Sequence, residues 1–166
     1  MKMTWTSAFD GASYLADELT KHHIIHPLSA HILIGRGGLA VGGLLARFCS
    51  MSEIIYLPVA FRGQAYLPSL RPLIQRVISP LEAANCIYLI DDIYDTGRTL
   101  EHVASELFLR GHASKVVAVT LLSRLSNRFR QGDHFCAAKI LTPEYVYFPW
   151  ELYDAQPPTP KEEVTV

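Results

Sequence analysis

Hydrophobic and polar positions recur along this chain with two different periods, which predicts a regular succession of strands and helices. From Ser7 to about residue 22 the apolar side chains follow helical spacing, and Ser7 with Asp10 resembles a capping box. Short apolar runs predict strands at residues 31–34, 54–61, 86–93 and 115–122, and apolar stripes predict helices at 39–48 and after Thr99. The alternation indicates an α/β fold, with a parallel sheet and helices on both of its faces.

Two parts of the chain depart from this alternation. Residues 62–80 contain three prolines and three arginines, which predicts a mobile excursion. After Asn127 the pattern changes to short aromatic segments, and we interpret residues 135–140 and 145–150 as a small cap rather than an extension of the parallel sheet. The predicted organisation is one domain at 1–154, with a core at about 7–126, a hood from 1–6 and 127–154, and a frayed tail at 155–166.

Composition limits the classes of protein to which the chain can belong. With 166 residues, 49% hydrophobic and 19% charged, it is typical of a globular domain with a real core. A net charge of -1 gives no reason to expect attraction to nucleic acid, so local groups must hold any anionic ligand. Three scattered cysteines, no apolar signal core and no long apolar run predict a cytoplasmic protein without an integral membrane segment.

Three carboxylates follow the apolar run that ends at Ile90. Asp91 and Asp92 are adjacent, and Asp95 comes three residues later. A single Asp at a strand end is often a cap, but like charges packed together repel each other unless a cation or hydroxyl donors compensate them. Ribose hydroxyls and Mg²⁺ both do so, and the ends of parallel strands are where ligands bind in open α/β sheets. The pattern therefore predicts a binding site for a sugar phosphate.

Two turns in the sequence suit phosphate groups. Thr96, Gly97, Arg98 and Thr99 lead directly into a predicted helix, and a phosphate can bind there to backbone N–H groups and hydroxyls. The residues 35–38, Gly-Arg-Gly-Gly, form a second junction between a strand and a helix. No Walker loop is present, since Gly-Lys-Ser/Thr does not occur. Two such turns at one sheet edge predict a ligand with phosphates at both ends.

The segment LIDDIYDTGRT resembles the phosphoribosyl-diphosphate (PRPP) signature of type I phosphoribosyltransferases. That signature has two acidic residues, two apolar residues and then Asp-Thr-Gly-x-Thr. The segment GRGGLAVGGLLARF resembles the diphosphate loop and following helix of the same family. Within it, the likeness is greatest to bacterial xanthine-guanine and hypoxanthine phosphoribosyltransferases. Three features of this chain resemble theirs: Thr4-Trp5 before a helix, the strand that ends in Arg124, and the aromatic segment EYVYFPWE.

This resemblance implies a fold and an activity. The implied fold is a twisted parallel sheet flanked by helices on both faces, with the small hood. The implied activity is purine salvage: Mg²⁺-dependent transfer of 5-phosphoribosyl from PRPP to a 6-oxopurine, giving the nucleoside 5′-monophosphate and diphosphate. The resemblance also implies a homo-oligomer, a dimer or a tetramer.

The resemblance further assigns roles in PRPP binding and catalysis. Asp91 and Asp92 are expected to bind the ribose hydroxyls and Mg²⁺, and Asp95 to accept or relay the proton of the base. The 5′-phosphate is expected at residues 95–99. The diphosphate is expected at Gly35, Arg36 and Gly37, with Arg36 catalytic and with a non-proline cis peptide between Gly35 and Arg36.

The base site rests on three further residues. Arg124 occupies the position where purine enzymes usually have Lys, Tyr145 is expected to stack on the base, and the Val146 backbone to contact its edge. Tyr145 and Trp150 are not both expected to stack, because buried aromatic side chains more often belong to the core. Two alternatives stay open, namely another acceptor such as a pyrimidine, and a non-catalytic regulator that binds PRPP or nucleotides. The complete acidic motif favours an enzyme, whereas the preferred base and the oligomeric state stay open.

Overall fold

The computed structural model describes residues 1–21, 29–51, 53–59, 84, 86–109, 115–124 and 128–151. The helices are α1 (Trp5–Lys21), α2 (Gly35–Leu45) and α3 (Arg98–Leu109). The strands are β1 (Ser29–Ile34), β2 (Glu53–Leu57), β3 (Cys86–Tyr94), β4 (Val116–Arg124) and β5 (Asp133–Ile140). Among these helices, none has the length and apolar character needed to cross a membrane.

The five described strands form one parallel sheet in the order β2-β1-β3-β4-β5. From β1 the chain moves outward to β2, and from β3 it moves outward in the opposite direction to β4 and β5. The order therefore reverses between β1 and β3. In open α/β sheets, the crevice outside the carboxyl ends of the strands at such a reversal is where ligands bind.

Both faces of the sheet are covered by helices, as the alternation of strands and helices predicts. Successive side chains of a strand point to opposite faces. In β3, Ile87 and Leu89 pack with the buried side of α3, whereas Tyr88 and Ile90 pack with α1 and α2. A strand buried on both faces reads as a continuous apolar run, which explains why β3 and β4 are evident in the sequence.

The interpretation of residues 135–140 as part of a cap is wrong. They belong to β5, which pairs in parallel with β4 and extends the sheet, for example with Cys136 beside Thr120. Most of β5 is only partly buried, so it lacks the continuous apolar run that marks the central strands. The backbone groups on the outer edge of β4 nevertheless need partners, and β5 supplies them.

The start of α1 also differs from the prediction. The helix begins at Trp5, and the backbone N–H of Ser7 donates to the Oγ1 of Thr4 at 3.1 Å. Thr4 is therefore the capping residue, and Ser7 is the third helical residue whose N–H the cap satisfies. In the sequence, Thr4 and Ser7 are both suitable capping residues, so the pattern fits a helix that begins after either one.

Backbone hydrogen bonds join the N-terminal residues to the aromatic segment. The N–H of Met3 donates to the carbonyl of Tyr147, and the N–H of Tyr147 donates to the carbonyl of Met1, both at 2.9 Å. The hood and the domain limits stay predictions. The excursion at 62–80 and the tail at 155–166 lie outside the described residues.

Candidate active site

A cleft of about 270 Å³ lies at the carboxyl ends of β1 and β3, where the strand order reverses. Its walls are the ends of these two strands and the turns that follow them, together with Val59, Trp150 and Glu151. Every residue predicted to bind PRPP lines it: Gly35, Arg36, Gly37, Asp91, Asp92, Asp95, Thr96, Gly97, Arg98 and Thr99. The fold thus brings together two turns that are far apart in the chain.

The glycine-rich turn after β1 is itself the first turn of α2. The helix begins at Gly35 rather than near residue 39, and Gly35 has a φ of 56°. A Cβ on Gly35 would lie 2.7 Å from the carbonyl oxygen of Val59, so glycine is required there for both conformation and space. The predicted cis peptide between Gly35 and Arg36 is wrong, because the described residues contain no cis peptide bond.

The next two glycines let the start of α2 approach β3 closely. A Cβ on Gly37 would overlap the carboxylate of Asp92, and a Cβ on Gly38 would overlap the backbone carbonyl of Ile90. The backbone of the glycine-rich turn therefore lies directly against the acidic residues at the end of β3. Only residues without a side chain allow this contact, which is the packing reason for consecutive glycines here.

Burial strongly affects the acidic pair. It raises the pKa of Asp91 well above its usual range, and the neighbouring charge of Asp92 raises it further. Burial also raises the pKa of Asp92, to about 6, although the hydrogen bond from Trp150 opposes this shift. The backbone N–H of Asp92 donates to Oδ1 of Asp91 at 2.9 Å. Two partly buried, adjacent carboxylates in this state favour a cation or hydroxyl donors as a partner.

The described residues contain no group of three or more His, Cys, Asp or Glu side chains able to hold a metal ion. The adjacent carboxylates of Asp91 and Asp92 are the candidate donors at the cleft. Mg²⁺ commonly binds to one or two carboxylates and takes its other oxygens from water and substrate phosphates. The acidic pair fits that requirement.

The second turn, at residues 95–99, connects β3 to α3. Gly97 has a φ of 78°, and α3 begins at Arg98. The first N–H groups of a helix have no partner within the helix, and the helix dipole adds positive potential at that end. The N-terminus of α3 borders the cleft, so this turn can bind a phosphate.

Arg124, at the end of β4, lies beside Asp95. Its Nε donates to Oδ1 of Asp95, its Nη1 donates to the carbonyl oxygen of Thr142, and its Nη2 donates to that of Glu144 at 3.0 Å. One guanidinium thus connects the second turn to the start of the aromatic segment. The two residues expected to handle the base, Asp95 and Arg124, are adjacent, although Arg124 does not line the cleft.

The aromatic segment is arranged differently from the simplest expectation. Tyr145 is 61% exposed, its hydroxyl donates to Glu151 at 3.1 Å, and it does not line the cleft. Val146 is buried in the core beneath α1 and α2. Trp150 lines the cleft instead, with its ring stacked on Phe148 and its Nε1 donating to Oδ2 of Asp92 at 3.1 Å.

Glu151 is a cleft residue that the sequence did not identify, whereas Trp150 was weighed there beside Tyr145 without its bond to Asp92. Pro149 restricts the backbone beside Trp150, but the sequence gives no indication that the indole has a partner on β3. Only the pairing of residues 1–3 with the aromatic segment and the stacking on Phe148 bring the indole to Asp92.

Comparisons with known proteins give likeness in structure only. No protein-family model matches the chain, and no curated protein matches it. A Neisseria gonorrhoeae protein with bound ppGpp has a TM-score of 0.74 and 17% identity, covering 93% of this chain and 91% of its own. The purine phosphoribosyltransferase of Pyrococcus horikoshii has a TM-score of 0.64 and 20% identity, and the match covers 98% of both chains. The Helicobacter pylori xanthine-guanine-hypoxanthine phosphoribosyltransferase has a TM-score of 0.63 and 17% identity. The match covers 92% of this chain and 93% of that one.

These likenesses confirm the fold. The chain has the α/β fold of the type I phosphoribosyltransferases, as the resemblance of the LIDDIYDTGRT segment implies. At 20% identity or less the activity does not follow from the likeness, so it must be argued from the cleft.

Proposed function

We propose that this protein is a phosphoribosyltransferase of purine salvage, which transfers the 5-phosphoribosyl group of PRPP to a 6-oxopurine such as guanine, xanthine or hypoxanthine. One observation carries the proposal: two phosphate-suited turns and an acidic pair line a single cleft where the strand order reverses. PRPP has a phosphate at one end, a diphosphate at the other and ribose hydroxyls between. The cleft offers groups of matching chemistry in that order.

In this proposal the two turns hold the two ends of PRPP. The turn at 95–99 binds the 5′-phosphate at the N-terminus of α3, and Gly35, Arg36 and Gly37 hold the diphosphate. Arg36 can bind the diphosphate bidentately. Asp91 and Asp92 accept hydrogen bonds from the ribose hydroxyls and are the residues that would hold Mg²⁺, which neutralises charge on the diphosphate when bound. The chain itself supplies position and donors for the departing diphosphate.

Asp95 and Arg124 act on the base. Breaking the bond between the ribose and the diphosphate gives a transition state with oxocarbenium character, and the purine nitrogen that attacks must lose a proton. The Asp95 carboxylate accepts or relays it. Arg124 is in contact with Asp95, and its guanidinium is a donor suited to a 6-oxo group. A pyrimidine acceptor is the alternative within the same scaffold.

Base stacking is proposed for the aromatic segment, with Tyr145 and the Val146 backbone in the roles that the resemblance gives them. Trp150 is the aromatic side chain that borders the cleft, which supports it as a second candidate. A cytoplasmic location and assembly into a dimer or tetramer belong to the same proposal.

A second candidate is a nucleotide-binding regulator. The similar Neisseria gonorrhoeae protein, with the higher TM-score of 0.74, was solved with bound ppGpp. That nucleotide also carries phosphates at two ends of a ribose, so two phosphate-suited turns accommodate it as well as PRPP.

Steady-state assays with PRPP, Mg²⁺ and each base in turn distinguish these candidates. Diphosphate release that depends on a 6-oxopurine supports the transferase, and release only with a pyrimidine identifies the alternative acceptor. Absence of release with every base, together with ppGpp binding in calorimetry, supports the regulator. Asp91→Asn combined with Asp92→Asn is the matched control, which should abolish release in the first two cases.

A further inference from the structure

Tyr94 is the last residue of β3 and directly precedes the turn at residues 95–99. It is 2% exposed, and its hydroxyl donates to Oε1 of Glu101 at 2.7 Å. A buried hydroxyl is costly unless it has a partner, and Glu101 provides one. Burial, together with this hydrogen bond, raises the pKa of Tyr94 well above its usual range, so the phenol stays a donor. The end of β3 is thereby connected to the first turn of α3.

Glu101 has further contacts that involve the same turn. Its Oε1 also accepts the backbone N–H of Arg130 at 2.8 Å, and its own N–H donates to the carbonyl of Gly97 at 2.9 Å. Two donors on one carboxylate oxygen fix the side chain and disperse a charge that would otherwise oppose an anion at this helix N-terminus.

The phenol of Tyr94 lies directly against Gly97. A Cβ on Gly97 would be 2.5 Å from the Tyr94 hydroxyl and 2.6 Å from Cζ. The Tyr94 ring packs edge-on against Phe129, with ring centroids 6.2 Å apart, and against the His134 ring, with centroids 4.8 Å apart. The left-handed residue of the turn therefore rests on an aromatic ring that has little freedom to move.

We propose that Tyr94 and Glu101 are positioning residues that hold the turn at 95–99 in the conformation that binds a phosphate group. The PRPP signature asks only for an apolar residue at the position of Tyr94, so the resemblance assigns no role to its hydroxyl or to the bond to Glu101. The inference rests on the proposed function for the identity of the ligand. It does not rest on that function for the conformation of the turn.

Tyr94→Phe tests the pair because it keeps the ring and removes only the hydroxyl. The KM for PRPP should rise about five- to tenfold, a factor expected for one buried hydrogen bond, while kcat stays within about twofold. The 5′-phosphate does not react, so weakened binding there affects KM first. Tyr88→Phe is the matched control, because Tyr88 is also buried on β3 but packs under α1 and α2, away from the cleft.

Variants of Glu101 separate positioning from a general loss of packing. Glu101→Gln keeps a carbonyl oxygen that accepts both hydrogen bonds and should retain a KM near that of wild type. Glu101→Ala removes the acceptor and should reproduce the effect of Tyr94→Phe. Amide hydrogen exchange across residues 95–101, measured without any ligand, should be faster in Tyr94→Phe and Glu101→Ala than in wild type or Tyr88→Phe.

The outcomes are distinguishable. Unchanged KM and unchanged exchange in Tyr94→Phe would overturn the positioning role, as would an equal rise of KM in Tyr88→Phe. If wild type shows no turnover with any base, the proposed function has failed. The exchange rates at residues 95–101 then still decide whether the pair holds the turn.

Discussion

The indole Nε1 of Trp150 donates a hydrogen bond to Oδ2 of Asp92 at 3.1 Å, which joins the aromatic segment to the acidic pair on β3. The same indole stacks on Phe148 and meets Trp5 edge-on at 5.8 Å. A ribose hydroxyl bound to Asp92 would donate to the same carboxylate. Binding of a ribose phosphate to Asp92 should therefore change the environment of the Trp150 indole.

Trp150 should report ligand binding through its fluorescence. The chain has two tryptophans, so in Trp5→Phe the emission excited selectively from tryptophan comes from Trp150 alone. Titrating this variant with ribose 5-phosphate should shift or quench the emission, because the partner of the indole N–H gains a competing donor. In Trp150→Phe, Trp5 remains and is 57% exposed, so its emission should change much less. Equal responses from both variants would argue against a ribose at Asp92.

Removing the charge of Asp92 should stabilise the ligand-free protein at neutral pH. Burial raises the pKa of Asp92 from an ordinary value near 4 to about 6 in the folded state. The folded state therefore holds its proton more tightly, and the free energy of unfolding falls as pH rises from about 4 to about 6. Asp92→Asn removes this loss, on the order of 1–3 kcal/mol for a partly buried group. Its Tm should exceed that of wild type at pH 7.5, and the difference should disappear below about pH 4.

The stability contributions of His31 and His134 have the opposite dependence on pH and must be separated from this effect. Burial lowers the pKa of His31, and it lowers the pKa of His134 to about 4. Their folded-state values lie below the ordinary one near 6.5, so they reduce stability as pH falls below about 6.5. Both proteins contain both histidines, so the difference in Tm between Asp92→Asn and wild type isolates the carboxylate. A difference independent of pH would contradict the prediction.

Gly37→Ala should impair PRPP binding far more than Gly43→Ala. A Cβ on Gly37 would overlap the Asp92 carboxylate, so either the glycine-rich turn or the acidic residue must move. Gly43 lies on the same helix with nothing within 4 Å of its would-be Cβ, and alanine there should raise stability by about 0.5–1 kcal/mol. Calorimetric titration with PRPP and thermal melts of both variants check the contrast. Comparable affinity for PRPP in the two variants would mean that the turn does not contact the ligand.

Asp95→Asn should retain PRPP binding and lose most turnover, by about 10²-fold or more, since an amide cannot accept the proton of the base. The amide oxygen can still accept the hydrogen bond from Arg124, so the local structure should persist. Asp133→Asn is the matched control, because Asp133 is an exposed residue paired with Lys115 at the start of β5. Full turnover by Asp95→Asn would exclude the proton role.

Local patterns in the sequence were sufficient to predict the strands that are buried on both faces of the sheet. The apolar runs of β1, β3 and β4 and the stripe of α3 are explicit, because full burial demands continuous apolar residues. Residues 135–140 were assigned to a cap instead of the sheet for the converse reason, since the half-exposed residues of β5 carry a weak pattern. The first turn of α2 was missed because its glycines are poor helix formers, although their contacts with Asp92 and Ile90 require them.

The sequence by itself determined the motif: two adjacent carboxylates, a third, and a turn into a helix, all contiguous in the chain, so that their relative order needs no tertiary information. Only the tertiary structure decided which distant groups complete the cleft. The strand order places the glycine-rich turn opposite the acidic pair. The pairing of the two terminal segments brings Trp150 to Asp92, and Arg124 reaches Asp95 because β4 lies beside β3. These contacts depend on packing between segments far apart in sequence, for which no local spacing rule exists.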